Sequence, residues 1–307
     1  MKYSLVLLCL AESCLICVLS FKLPSPKKLD FLRTRKSRSV GGDIGCMHMA
    51  TDEGEYRFRS DGSNGVCGLY LLSPSDSIIE MEFTDFDINC DTGILALVDG
   101  WEMNNEYFPS PEDHQLSLQE RYNTFCNLNR PSKVFVASQN VALIQHLIPK
   151  AGSGFTVRVK FVKSAEPCNV VSAAEAGYHT LKNFGSRRNC SLSIIYPETI
   201  NLASVDVGVT SKRDVVEGEF GVSGKCLTAD GGDFVEVMGG NSFELNDSGK
   251  RRDVVCGMKS NAGVGETVVG CQHSVVRLVS SGNFFNTVTF LYRPPSEKEL
   301  VMQDTIC

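Results

Sequence analysis

The sequence lacks the usual marks of chemistry. Its 307 residues hold no Gly-x-Ser-x-Gly elbow, no His-Glu-x-x-His, no phosphate-binding glycine loop and no dinucleotide glycine pattern. The five histidines, His48, His114, His146, His179 and His273, are scattered. Asp113-His114 could form half of a triad, but neighbours in sequence usually make a surface loop pair. An enzyme is therefore the weaker reading. A basic excess is also missing: the net charge is −6 and the pI about 5.5, which argues against nucleic acid, since phosphate needs a basic face. After the N-terminus no apolar run approaches the roughly 20 residues that a membrane span needs. Acids cluster at Glu80, Glu82, Asp85, Asp87, Asp91 and Asp99, and again at Asp230, Asp233 and Glu236, but no Asp-x-Asp-x-Asp-Gly loop is present. A solvated face explains most of them, and no metal or other cofactor is expected.

Cysteine is abundant. Residues 1–20, MKYSLVLLCLAESCLICVLS, place Lys2 before an apolar run that ends at the small residue Ser20. They read as a secretory signal peptide cleaved near Ser20; cleavage after Ser13 is the alternative. Removing it takes Cys9, Cys14 and Cys17 and leaves ten of the 13 cysteines: Cys46, Cys67, Cys90, Cys126, Cys168, Cys190, Cys226, Cys256, Cys271 and Cys307. None of the ten sits in a Cys-x-x-Cys pair, so zinc and thioredoxin-like chemistry lose their signature. Five disulfides in an oxidising compartment is the plain reading, with a connectivity that spacing cannot fix. Sequons at Asn189 and Asn246 agree with a secreted, glycosylated chain. The segment 21–45 is basic and Pro-containing, with seven Lys or Arg against Asp30 across 22–38. It reads as a flexible leader. Arg35-Lys36-Ser37-Arg38 also invites a processing protease; a cut after Arg38 would leave 22 bases against 34 acids in 39–307. So acidic a body would favour a cationic partner.

The chain repeats. Cys46 to Cys168 is 122 residues and Cys67 to Cys190 is 123; ILALVDG follows Cys90 and DFVEVMGG follows Cys226. VALIQHLIPKAGSGFTVRVKF (141–161) matches VVRLVSSGNFFNTVTFLYR (275–293), each a strand, a Ser/Gly turn and an alternating strand. Two copies of one domain is the economical explanation. The expected divisions are 46–163, a linker at 164–167, and 168–307. Periodicity is two: Thr156, Arg158 and Lys160 alternate with Phe155, Val157, Val159 and Phe161, and 191–196, 234–238 and 287–292 behave alike. The fold class is all-β, two tandem antiparallel sandwiches, with helix expected only around 111–125.

The half-cystine spacing and the strand ending in Asp-Gly resemble CUB domains. VDGWEMNNEYFPSPEDHQLSLQERY (98–122), ASQNVALI (137–144), EPCNVVS (166–172), RRNCSLSIIYP (187–197) and GCQHSVVRLVSSG (270–282) resemble the corticotropin-releasing factor-binding proteins, from about Cys46 to Cys307. The resemblance implies consecutive pairing: Cys46–Cys67, Cys90–Cys126, Cys168–Cys190, Cys226–Cys256 and Cys271–Cys307. It also implies glycosylation at Asn189. No such bridge crosses 164–167, so each half could fold separately. Functionally it implies a secreted binder that sequesters corticotropin-releasing-factor-like peptides, a diuretic hormone in an insect, with no membrane or nucleic-acid partner. The other reading is a generic CUB module for protein or glycan, with calcium. Ligand contact is expected around Cys46, at Met47, His48 and Met49, where ordinary core is the competing role. Trp101 stands as either an exposed anchor or a packing residue.

Overall fold

The structure is a computed structural model and describes residues 41–103, 106–210, 221–223, 232–240, 253–260, 266–302 and 306–307. The signal peptide, Arg38, Cys226, Asp230 and Asn246 lie outside the described residues. The described residues belong to one compact unit.

The elements are strands almost throughout. In the first half, one sheet runs in spatial order Gly42–Asp43, Gly54–Arg59, Gly154–Lys163, Ser77–Asp87 and Phe135–Val136. The facing sheet runs Met47–Ala50, Cys67–Leu72, Val141–Leu147, Ile94–Asp99 and Tyr122–Phe125. The leader, expected to be flexible to residue 45, is already in the first sheet at Gly42–Asp43, parallel to Tyr56–Arg57. Alternation explains the layering. In Gly154–Lys163, Phe155, Val157 and Val159 are buried while Arg158 and Lys160 are exposed, as a strand with one face in a core requires. The register between this strand and Ser77–Asp87 shifts at Thr156/Val157, the mark of a bulge.

The second half repeats the plan. Asn169–Ser172, Cys190–Ile194, His273–Val279, Phe234–Gly240 and Asp253–Ser260 follow the order of the Met47–Ala50 sheet, again with a parallel first pair. Gly177–Lys182, Thr287–Arg293 and Glu198–Val207 form the other layer. Here the layers are not separate sheets: Asp253–Ser260 pairs with both Phe234–Gly240 and Glu198–Val207, which makes one ten-stranded sheet folded on itself. Each half has its own core. Tyr56, Leu69, Leu71, Ile144 and Phe155 belong to the first, and Leu192, Val237, Val276, Leu278 and Phe290 to the second. The helix within 111–125 is a single turn, Leu118–Arg121, opened by Ser117, whose N–H donates to the Glu120 carboxylate at 3.0 Å, and a second helix, Glu297–Met302, corrects the expectation of helix there alone.

Disulfides join Cys46 to Cys67, Cys90 to Cys126, Cys168 to Cys190 and Cys271 to Cys307, with Cα–Cα distances of 4.6, 5.1, 4.5 and 5.6 Å. Cys256 is also disulfide-bonded. The first and third tie the starts of the parallel pairs in the two halves. Gly239-Gly240, expected as a turn, are the last two residues of the Phe234–Gly240 strand, paired with Ser274 and His273; a Cβ at 239 would lie 2.3 Å from the Cys271 sulfur and one at 240 would lie 2.2 Å from the His273 ring. Those contacts are why glycine stands at both positions.

Candidate ligand-binding face

The Met47–Ala50 strand is an edge strand held at its start by the Cys46–Cys67 bridge. Its register pairs Met47 with Gly68, His48 with Leu69, Met49 with Tyr70 and Ala50 with Leu71. Leu69 and Leu71 are core residues, so His48 and Ala50 turn inward while Met47 and Met49 turn outward. The His48 ring is half-buried, 5.9 Å from the Tyr56 ring, and burial lowers its pKa. Met47 is 50% exposed. Across the sheet the same outer face carries Gly68, then Gln145 and Leu147, then Ala96 and Ile94. Ile94 is 46% exposed, and Met49, Ala96 and Leu147 are part-exposed. The outcome is a mostly apolar strip on the outside of a sandwich, where alternation alone would place polar side chains.

The strip ends where the sheet face becomes covered. Tyr70, Val98, Val141 and Leu143 share the outer face but are buried. Their cover is the hairpin Trp101–Met103/Glu106–Phe108. Trp101 is fully buried, its Nε1–H directed to the Leu71 and Ala142 carbonyls at 3.0 and 3.2 Å, with its ring edge-on to Tyr70 at 5.8 Å. That corrects the expectation of an exposed anchor: a fully buried indole has no surface to offer a ligand. His48 is corrected in part, since it faces the core side.

The Asp113-His114 pair does not build a triad. His114 Nδ1 accepts the Leu116 N–H at 3.0 Å, which leaves the proton on Nε2, facing Ser138 Oγ at 3.0 Å and Asp99 Oδ2 at 3.4 Å. A serine nucleophile needs an unprotonated nitrogen toward it and the acid on the other nitrogen. Asp113 points elsewhere, to Arg277. Two of the candidate acids for a cation are engaged elsewhere: Asp99 Oδ1 accepts the Ser138 N–H at 2.9 Å, and Asp233 accepts both the N–H and Oγ–H of Ser281. Among the described residues no three His, Cys, Asp or Glu side chains converge on a metal position, and no helix is long and apolar enough to cross a membrane. Asn189 is half-buried just before the Cys190–Ile194 strand.

The described residues define the class by its fold, a tandem of disulfide-bonded β-sandwiches, the first with an apolar outer strip. Comparison with known proteins gives the particular family. The corticotropin-releasing factor binding protein N-terminal domain matches residues 39–163, and the C-terminal domain of that protein matches 170–301. The chain belongs to the corticotropin-releasing factor-binding protein family. It is 36% identical over 252 residues to the Xenopus laevis corticotropin-releasing factor-binding protein, covering 80% of this chain and 75% of the relative. To the Homo sapiens protein of the same name it is 34% identical over 256 residues, covering 83% and 77%. Among solved structures, the CUB1-EGF-CUB2 domain of human MASP-1/3 covers 78% of this chain and 98% of its own at 11% identity and a TM-score of 0.26. The extracellular region of zebrafish Gpr126/Adgrg6 covers 85% and 39% at 13% identity and a TM-score of 0.30.

Proposed function

We propose that this is a secreted, non-enzymatic protein that binds a corticotropin-releasing-factor-like peptide, of the diuretic-hormone class if the source is an insect, and withholds it from its receptor. Family membership carries the ligand class; the relatives are named for binding corticotropin-releasing factor. The apolar strip at Met47, Met49, Leu147, Ala96 and Ile94 carries the choice of surface. An amphipathic helical peptide laid on that strip buries its apolar face against a preformed sheet. Thioethers on an edge strand supply adaptable contact. Competing with a receptor at nanomolar peptide requires about −12 kcal/mol, which calls for a buried apolar cluster and not for charge alone. The basic leader is removed after Arg38, sugars are carried at Asn189 and Asn246, and Cys226 pairs with Cys256. The two binding domains correspond to 46–163 and 168–307.

Titration of the disulfide-intact protein with such a peptide, with and without EDTA and beside a scrambled control, tests the reading. The expected result is nanomolar binding that EDTA leaves unchanged. Binding that EDTA abolishes would favour a calcium-dependent CUB module, and no binding would remove the hormone-sequestering function.

A further inference from the structure

Between the two sandwiches lies a polar seam that strand alternation does not explain. Glu236 and Arg277 are register partners on adjacent strands of the second half, on the face opposite the core residues Val235, Val237, Val276 and Leu278. In an isolated sandwich both would stand in water. Instead Arg277 is 5% exposed and Glu236 3%, and what covers them comes from the first half. Arg277 Nε and Nη2 donate to Asp113 Oδ1 and Oδ2 at 2.6 and 2.9 Å, a bidentate pair. Nη1 donates to Glu236 at 2.8 Å and lies 2.9 Å from Glu112, and Nη2 also reaches Ser110 Oγ at 3.2 Å. Burial pulls the Arg277 pKa down, but Asp113 and Glu236 outweigh it and raise it overall, so the guanidinium stays charged.

Three further contacts cross the same seam. The Asn140 side chain imitates a strand residue: its Nδ2 donates to the Val171 carbonyl and its Oδ1 accepts the Val171 N–H, both at 2.9 Å. Val171 sits on the Asn169–Ser172 edge strand, so this amide saturates an edge that would otherwise stand open. Asn169 Nδ2 donates to the Asp113 carbonyl. Phe108 packs edge-on to His273 at 5.3 Å. At its other end the loop is anchored in the first half by the fully buried Arg121, which donates to the Asp99 and Pro109 carbonyls at 2.7 and 3.0 Å.

We propose that residues 108–114 form a strap that locks the two sandwiches into one rigid, cooperatively unfolding body, keyed by the Asp113–Arg277 pair. The physical ground is asymmetry. A buried ion pair repays its desolvation only with complete geometry, and an unpaired buried charge is strongly destabilising. A half-open seam is therefore worse than either a closed one or a fully solvated one, and the seam opens all at once or not at all. The strap continues from the hairpin that walls the apolar strip, where the Tyr70 hydroxyl donates to the Glu102 carbonyl at 3.2 Å and Tyr70 lies beside Met49, so the lock would steady that wall. That last consequence rests on the proposed function; the lock does not.

Calorimetry on the full disulfide-intact chain tests the lock through a double-mutant cycle of Asp113→Asn and Arg277→Met. The wild type is expected to melt in one transition. Each single variant is expected to melt earlier and in two steps. The double variant removes both members of the bidentate pair, so Asp113 no longer stands as a buried charge facing a missing guanidinium, and it recovers enough relative to Arg277→Met that the two sites are coupled at least about tenfold in the unfolding equilibrium constant. If either single variant fails to fold, Asn140→Ala takes its place and is expected to separate the transitions without burying a charge. Two independent transitions in the wild type, or a cycle that closes with no coupling, would overturn the proposal. No peptide enters this measurement, so a protein that fails to bind peptide leaves its result standing.

Discussion

At the scale of single residues, two buried ionisable groups set how stability depends on pH. The His146 ring packs edge-on against Phe58 and Phe155 at 4.2 and 5.1 Å, and burial lowers its pKa to about 4. A base whose folded pKa is depressed loses stability as pH falls below its unfolded value of 6.5, by about 3 kcal/mol at pH 4. Glu198 is fully buried with neither carboxylate oxygen hydrogen-bonded among the described residues, and burial, reinforced by Glu175, raises its pKa to about 8. An acid shifted upward loses stability as pH rises from its unfolded 4.5 toward 8, by about 3 kcal/mol at pH 7. Melting temperatures measured from pH 4 to 9 should therefore rise on the alkaline side for Glu198→Gln with little change at pH 4.5, whereas His146→Phe should flatten the acid limb alone. Unchanged pH profiles for both variants would contradict these assignments. Neither role was legible in the sequence, where His146 is one of five scattered histidines and Glu198 an ordinary acid after a Tyr-Pro turn. Burial of a polar residue shows only when the chain folds around it.

At the scale of elements, alternation reads correctly wherever one face of a strand meets water. Phe155, Val157 and Val159 inward against Arg158 and Lys160 outward is the example. It misreads Cys190–Ile194, where Ser191 and Ser193 should face solvent yet are 0% and 1% exposed. Asn169, the register partner of Ser191 on the adjacent strand, accepts the Ser191 N–H and Oγ–H at 2.9 and 3.2 Å, and the same asparagine donates to Asp113 across the seam. The segment near Cys46 was legible as a candidate because it departs from the family pattern and methionines offer adaptable apolar surface, with ordinary core as the competing role. Which of Met47, His48 and Met49 points outward needed the register. That edge strand depends on its bridge. Replacing both Cys46 and Cys67 with serine opens a loop of 21 residues and should cost about 3 kcal/mol. Peptide affinity should fall with it, because an unpinned edge strand cannot hold Met47 and Met49 on the outer face. Retained affinity in a folded Cys46→Ser/Cys67→Ser variant would place the binding surface elsewhere.

At the scale of the whole molecule, the repeat was legible from cysteine spacing and matching strands, and the two halves do share one strand order. The seam was not. Asp113 and Arg277 are 164 positions apart, and nothing local marks either as a partner of the other. The view that each half folds by itself followed from bridges that stay within each half. Covalent topology, however, says nothing about a buried ion pair across the boundary. The hairpin and strap lie to one side of the first half's outer sheet face and leave Met47 and Ile94 exposed on the other.

Under the proposed function, peptide binds on the open Met47 side of the outer sheet face. The most direct measurement is an isothermal titration of a corticotropin-releasing-factor-like peptide into the wild type and into Met47→Glu/Met49→Glu, with melting temperatures recorded alongside. Both side chains face outward, so the variant should melt within a few degrees of the wild type. Placing two carboxylates against an apolar helix face should weaken binding by about a hundredfold or more. Equal affinity in the two proteins, with the wild type binding tightly, would show that the peptide docks on another surface.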